Sequence, residues 1–332
     1  MLESDCMKAV VLEETCKANE LKVSEVPIPK VKDDWLLVKV IGFGINRAEI
    51  VLRDYEADED YINLPVIPGI ECVGEVIDPS NSKLNKGDKI VALMGGMGRT
   101  FDGGYAEFAL LPFRNVFKID DDVFNHLTIE EIIAVPETYF TAYGSIESLQ
   151  LKNHDSILIR GATSACGLTA MQLAHAMNAK IIATSRSESK FDLLKNNGAD
   201  FTVVDDGNIE EKVKDIFPSG VNKILELVGP ETLEDSMNCL SEGGICCNTG
   251  ILGGVEYIPK FDPIKTIPNN RYLTSFFSNY PTQEIINDIF RFIIDNSIKP
   301  NIGHVFANLE DICDAHELME SNKSKGKIIF RL

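Results

Sequence analysis

Ser156-Ile157-Leu158-Ile159-Arg160-Gly161-Ala162-Thr163-Ser164-Ala165-Cys166-Gly167-Leu168 runs without a break from an apolar strand pattern, through a turn of small residues, into a helix that continues to Met177. A dinucleotide-binding βαβ unit needs small residues at three places. These are where the backbone turns tightly, where it nears a pyrophosphate, and where the helix packs on the strand. The usual spacing is G-x-G-x-x-G, and here the three positions are Ala162, Ser164 and Gly167. Two glycines are missing, so the turn alone says little; the buried strand before it and the helix after it give it meaning. The unpaired N–H groups at the start of that helix can face phosphate. A structural βα turn that binds nothing is the alternative.

Downstream the same grain continues. Strands are predicted over 180–185, 201–204, 223–228, 244–249 and 271–277, and helices over 188–196, 208–217 and 232–240. Gly198 closes the first of these helices and Gly243-Gly244 the last. Strands apolar on both faces and separated by helices imply a parallel sheet covered on both sides. The second strand ends in Ser185-Arg186-Ser187, with Lys190 one turn further on. Sites that hold a ribose 2′-hydroxyl place a carboxylate there, about 20 residues past the glycines. Two cations and two hydroxyls, with Glu188 the one local acid, suit a 2′-phosphate instead. The alternative is a helix N-cap at Ser187 flanked by solvated Arg186 and Lys190.

Upstream the pattern differs. Apolar runs over 7–12, 35–42, 71–77, 89–93 and 105–111 are short and broken by Gly and Pro, which reads as a β-rich barrel or sandwich. The tail carries an amphipathic helix over 285–295, another over 309–321 and a strand over 327–332. That strand is expected to return to the first domain, giving domains 1–130 with 297–332, and 131–296. No internal repeat is present.

The chain has 332 residues, enough for two cores. Thirty-two Lys and Arg against 51 Asp and Glu leave a formal charge of −19, which argues against nucleic acid and anionic membrane surfaces as partners. The acidic run 54–60 reads as a solvated loop. No segment approaches the roughly 18–20 apolar residues of a membrane span, and residues 1–7 lack a signal-peptide pattern, so a cytoplasmic protein is expected. None of the eight cysteines forms a C-x-x-C pair, and buried thiols are the default. Loop 94–101 is either a mobile lid over a flat substrate or an ordinary hairpin loop.

Asn46-Arg47-Ala48-Glu49, Pro68-Gly69-Ile70-Glu71-Cys72-Val73-Gly74, Gly87-Asp88-Lys89-Ile90-Val91, Gly103-Gly104-Tyr105-Ala106-Glu107, the stretch 136–144 and the turn 161–167 occur in this order. In order and spacing they resemble the medium-chain dehydrogenase/reductase superfamily, and within it the zinc-less quinone oxidoreductase branch that includes zeta-crystallin. The resemblance implies an α/β fold: a doubly wound Rossmann sheet of order 3-2-1-4-5-6 plus a GroES-like β-rich catalytic domain. It aligns Asn46, Ile70 and a position near Glu137 with the zinc ligands of the alcohol dehydrogenases. The four-cysteine structural zinc loop has no counterpart between Met94 and Phe113. Zinc wants thiolate, imidazole or carboxylate, so no metal is expected. His316-Glu317, without a second histidine at metal spacing, reads as helix surface.

Without a Lewis acid, reducing an already electrophilic acceptor is easier than oxidising an alcohol. The resemblance thus implies hydride transfer from NADPH to a quinone or similar activated carbonyl. Enone or alkenal reduction is one alternative, and an NADPH-binding sensor or structural protein with little turnover is another. Asn46 is the first candidate for the chemistry, as an amide donor to substrate oxygen or to the nicotinamide ribose. Tyr55 is either a proton donor or a surface tyrosine of the acidic loop. For cofactor contacts the resemblance points to Asn46, Thr141, Ala165, Cys166, Gly167, Leu168, Ser185, Arg186, Lys190, Val228, Gly250, Leu252, Phe276 and Lys325. Cys166 is either a redox-sensitive thiol at a helix N-terminus or simply a small residue filling its slot. A homodimer is implied as well.

Overall fold

The computed structural model describes Asp5 to Leu332; the first four residues, part of the stretch 1–7 considered above for a leader, lie outside the described residues. The chain forms two compact units, one reaching to Glu137 and joined by Asn279–Leu332, the other Thr138–Ser278. The second boundary lies earlier than the 296/297 expected from the sequence. The reason is Gln283, which opens the helix Gln283–Asp295. Its side-chain amide accepts from the Lys118 N–H and donates to the Lys118 carbonyl, 2.9 Å each, as a neighbouring strand would. That helix therefore belongs to the first unit. The first boundary falls at 137/138 rather than 130/131, inside the helix Pro136–Ser148.

In the first unit β1 (Cys6–Val10) and β2 (Val23–Pro27) form an antiparallel pair. The main sheet is built on β3 (Trp35–Ile45), with β4 (Glu71–Asp78), β5 (Lys89–Leu93), β6 (Phe108–Pro112) and β7 (Val116–Lys118) following in the chain. β3 is long because an almost unbroken apolar run lets its two ends serve different partners. Trp35–Lys39 pair with β6, while Gly42–Ile45 pair with the last strand of the chain. Phe43 stacks between Tyr105 and Phe330, with ring centroids 4.6 and 4.8 Å away, and anchors this core.

The second unit carries β8 (Ser156–Arg160), β9 (Lys180–Ser185), β10 (Phe201–Val204), β11 (Val221–Glu226), β12 (Leu240–Asn248) and β13 (Tyr272–Ser275). All five pairings are parallel, and the spatial order is β10-β9-β8-β11-β12-β13, the expected 3-2-1-4-5-6. The order reverses between β8 and β11, so the turn after β8 lies at the switch point. Gly243-Gly244 does not end a helix but lies within β12, where the register skips from Leu240 opposite Val221 to Ile245 opposite Lys223. Gly243 has φ +77° and donates its N–H to the Asn270 carbonyl, so the bulge, not a cap, uses the glycine.

The chain then completes the first unit with β14 (Ile302–Phe306) and β15 (Lys327–Arg331). β15 runs antiparallel to β3, with Phe330 opposite Phe43, and β14 lies parallel to it at the sheet edge. No helix of the described residues is long and apolar enough to cross a membrane.

His316, read as helix surface, is instead 1% exposed. The helix Ile312–Glu320 turns it inward with Ile312 and Ala315, and its ring meets Tyr105 edge-on at 5.9 Å. Tyr105 Oη lies 3.3 Å from His316 Nε2, and Nδ1 has no partner. Burial, with Arg53 nearby, pushes the imidazole down to about 3. An unfolded histidine takes up its proton near pH 6.5, so the stability this group contributes is complete above that pH. It is lost as pH falls toward the folded value, by roughly 1.4 kcal/mol per pH unit. In urea titrations from pH 7.5 to 4.5, His316→Phe is expected to flatten this acid loss; a variant with the wild-type slope would show that His316 does not drive it.

Candidate functional site

The turn after β8 bends at Gly161, φ +80°, one residue before the position the motif assigned to the tight turn. Ala162 is buried, and Ser164 caps the helix Ala165–Ala176. Ser164 Oγ donates to the Gly161 carbonyl at 2.9 Å and accepts from the Gly167 N–H at 3.0 Å. A Cβ on Gly167 would come 2.6 Å from Ala162 Cα, so only glycine lets the helix sit this close to the strand. Ala165 and Cys166 occupy the first helical turn, whose N–H groups lack intrahelical acceptors. Leu168 points into the core and is fully buried; its side chain belongs to packing.

Ser185 ends β9 and is buried, its Oγ accepting from the Ser187 N–H and donating to the Ser187 carbonyl. Ser187 caps the short 3-10 turn Glu188–Lys190 by accepting from Ser189. Arg186 is exposed and has no ion-pair or hydrogen-bond partner among the described residues, whereas Lys190 is half-buried and partnered. Val228 follows β11, and Gly250 and Leu252 follow β12. Leu252 donates its N–H to Leu227, and a Cβ on Gly250 would meet the Leu227 carbonyl at 2.3 Å. The turn 161–167, Ser185–Lys190, Val228, Gly250, Leu252 and Phe276 thus all lie past the carboxyl ends of parallel strands. Thr141 is buried in the helix Pro136–Ser148. Phe276 packs edge-on to Phe140 of that helix and fills the space a Cβ on Gly144 would take.

A buried cation underlies this arrangement. Arg160, fully buried at the end of β8, donates from Nε and Nη2 to both Asp205 oxygens at 2.8 Å. Its Nη1 reaches Asp235 Oδ2 at 2.7 Å and Ser236 Oγ at 3.0 Å. Asp235 in turn accepts from the Ile209 and Glu210 N–H groups. Burial alone would lower the guanidinium's pKa, and Asp205 more than offsets that. Glu226, next along the same sheet edge, accepts from Val228, Gly229, Thr232 and Ser236. Burial pushes its carboxyl up despite those bonds.

In the first unit, Asn46 links β3 to the helix Arg47–Asp54 as its N-cap. Its Nδ2 donates to Glu71 Oε1 at 3.0 Å, and its Oδ1 accepts from Lys327 Nζ. Lys327 is 2.7 Å from the same Glu71 oxygen and 3.5 Å from Glu137 Oε2, while Glu71 Oε2 takes the Glu137 N–H at 2.7 Å. Burial would lower the Lys327 pKa; Glu71 and Glu137 hold it above its usual value. Glu49 accepts from the Asn46 and Ile70 N–H groups and is fully buried, which pushes its carboxyl up to about 7.

Tyr55 follows that helix and is 48% exposed. The acidic loop after it is not wholly solvated: Glu56 is held by both Arg99 Nε and Nη2 and by Tyr61 Oη. Arg99 also donates to the Ala48 carbonyl, pinning loop 94–101 to this helix. Met94 and Met97 are buried, and Gly98 bonds to Phe101, so the loop is built as a packed turn rather than a lid. Lys325 lies exposed in the segment before β15 of the first unit.

Two family descriptions match this chain, Alcohol dehydrogenase GroES-like domain over 32–121 and Zinc-binding dehydrogenase over 165–294. The quinone oxidoreductases of Lama guanicoe and Homo sapiens are each 29% identical over 334 residues, covering 98% of both chains. The chain belongs to the medium-chain dehydrogenase/reductase superfamily, in its quinone oxidoreductase branch. It is an NAD(P)H-dependent oxidoreductase. Solved structures share the fold. The quinone oxidoreductase of Pseudomonas syringae pv. Tomato superposes with a TM-score of 0.86 at 20% identity, over 98% of this chain and all of that one. A mycobacterial protein complexed with NADPH does so with a TM-score of 0.84 at 23% identity, again over 98% of this chain and all of the other.

The second family description implies zinc, and the residues here do not fit one. Asn46, Ile70 and Glu137 offer neither thiolate nor imidazole, and the Lys327 ammonium already sits on the oxygens that would have to be ligands. Among the described residues no group of three or more His, Cys, Asp or Glu side chains could hold a metal.

Sequence reasoning missed Lys327, Glu71, Glu49, Arg99 and Arg160. For Arg160 and Lys327 the only local signal was a charge at one end of an apolar run, and nothing local named their partners. Removing Arg160 alone leaves Asp205 and Asp235 without their cation. Arg160→Leu is expected to cost about 3–5 kcal/mol in chemical denaturation, and a loss below 1 kcal/mol would mean the cluster is not a stabilising centre.

Proposed function

We propose that this chain carries hydride from NADPH to a quinone or similar activated carbonyl acceptor without zinc. The observation carrying the cofactor choice is Arg186, exposed and unpartnered among the described residues, beside a strand end that has Ser185, bonded to the Ser187 backbone, where a 2′-hydroxyl site needs a carboxylate. A guanidinium with all its donors unspent suits a 2′-phosphate. The close helix–strand contact at Gly167 and the first-turn N–H groups suit the pyrophosphate. Phe276, Leu252 and Val228 offer apolar surface past the neighbouring strand ends.

Bound NADPH supplies the hydride. The protein's own part is to bind and orient the cofactor and to donate a hydrogen bond to the acceptor oxygen, for which Asn46 retains one Nδ2–H beyond the one spent on Glu71. Tyr55, being exposed, is an accessible proton source for the reduced oxygen. Metal independence is supported by the ammonium at the centre of the Asn46, Glu71 and Glu137 oxygens. A cytoplasmic homodimer fits the acidic composition and the outer edge of β13, which has no strand partner among the described residues and exposes Tyr272.

The purified protein is expected to oxidise NADPH with a panel of quinones, faster than NADH at equal concentration. Turnover with enones alone would move the acceptor class, and tight NADPH binding without turnover on either would favour a sensor. Arg186→Ala should raise the NADPH Kd by about tenfold or more, as expected for a lost charged hydrogen bond, and leave the NADH Kd nearly unchanged; equal losses would show that Arg186 does not meet the 2′-phosphate. Dialysis against a chelator should leave activity intact, and zinc at one equivalent per chain with activity lost on its removal would overturn the metal-free reading.

A further inference from the structure

The cluster around Lys327 does more than keep charges paired. A carboxamide can sit in two orientations, and here electrostatics allows one. Oδ1 of Asn46 faces an ammonium, which only donates, and Nδ2 faces a carboxylate, which only accepts. The reversed amide would set donor against donor and acceptor against acceptor. Glu71 cannot release its grip, because its other oxygen holds the Glu137 N–H. The pocket is built for this pair: a Cβ on Gly44 would lie 2.2 Å from Glu71 Oε1 and 2.3 Å from Lys327 Cε. Of the two Nδ2 hydrogens, Glu71 takes one, and the other has no acceptor among the described residues.

We propose that Lys327 is a positioning residue, whose ammonium locks the Asn46 amide so that its second Nδ2–H is held ready for the acceptor's carbonyl oxygen. This rests on the reading of Asn46 as the group that meets the acceptor. Lys327 touches neither acceptor nor cofactor; it acts through the amide.

Two measurements test it. In the wild-type protein, 15N relaxation of the Asn46 side-chain amide should give an order parameter near the roughly 0.85 of rigid backbone, falling below about 0.6 in Lys327→Ala. A wild-type order parameter below about 0.6 overturns the proposal. In turnover, Lys327→Ala should lower kcat with quinones by about tenfold or more and leave the NADPH Kd within about threefold. Added propylammonium should restore part of that kcat and propanol of the same size should not, because the missing element is a charge. An unchanged kcat, or equal rescue by the alcohol, also overturns it. If Lys327→Ala fails to fold, the wild-type NMR measurement still decides. The NMR arm needs no turnover, so wild-type protein inert toward every acceptor counts against the proposed activity alone.

Discussion

Lys327 and Glu71 are both sealed from water, and neither charge could remain so without the other. Much of the first unit's local geometry follows from bringing them together. β15 must lie against β3 and β4 must lie on its other side, because Lys327 and Glu71 come from those two neighbours of one strand. The strand between them must carry a glycine where the pair crosses it, and Gly44 does. Asn46, two residues further on, then falls within reach of both charges as the chain leaves the strand. Glu137 completes the ring by bonding Glu71 through its backbone and Lys327 through its side chain.

The nucleotide-binding unit solves a similar problem with a different cation. Arg160 meets Asp205 with a two-pronged guanidinium and Asp235 with the remaining nitrogen. A planar fork suits a site where two strand ends and two helices must keep fixed spacing, whereas a compact ammonium suits a point shared by three oxygens. Both clusters hold residues proposed for ligand contacts, Asn46 within one of them and the turn from Gly161 directly after Arg160 in the other. The local support of those residues is therefore electrostatic in both units.

The architecture was legible because it rests on periodicity. Strands apolar on both faces announced the parallel sheet, and a small-residue turn between strand and helix located its switch point. Gly167 kept its role although two of the usual glycines were absent, because Ala162 is small enough to be buried and Ser164 became the helix cap. The polar core was not legible. Arg160 ends an apolar run and Lys327 begins one, and their partners lie 45 and 256 positions away in the chain. No local pattern encodes such pairings. The same blindness put His316 on the surface: its helix carries polar residues around it, and only the aromatic stack of Phe43 and Tyr105 shows that this face is covered. Gly243 misled for a related reason, since a bulge and a helix end call for the same backbone freedom.

The placing of β15 has a consequence for how the chain is made. Synthesis delivers Glu71 and the pairing edge of β3 first, and the strand that satisfies both follows only after the whole second unit. The nucleotide-binding unit lies wholly between them and is complete while the first unit still lacks two strands. An acid without its base and a strand edge without its neighbour therefore persist while the whole second unit is made, and the first unit can finish its fold only once β15 has left the ribosome.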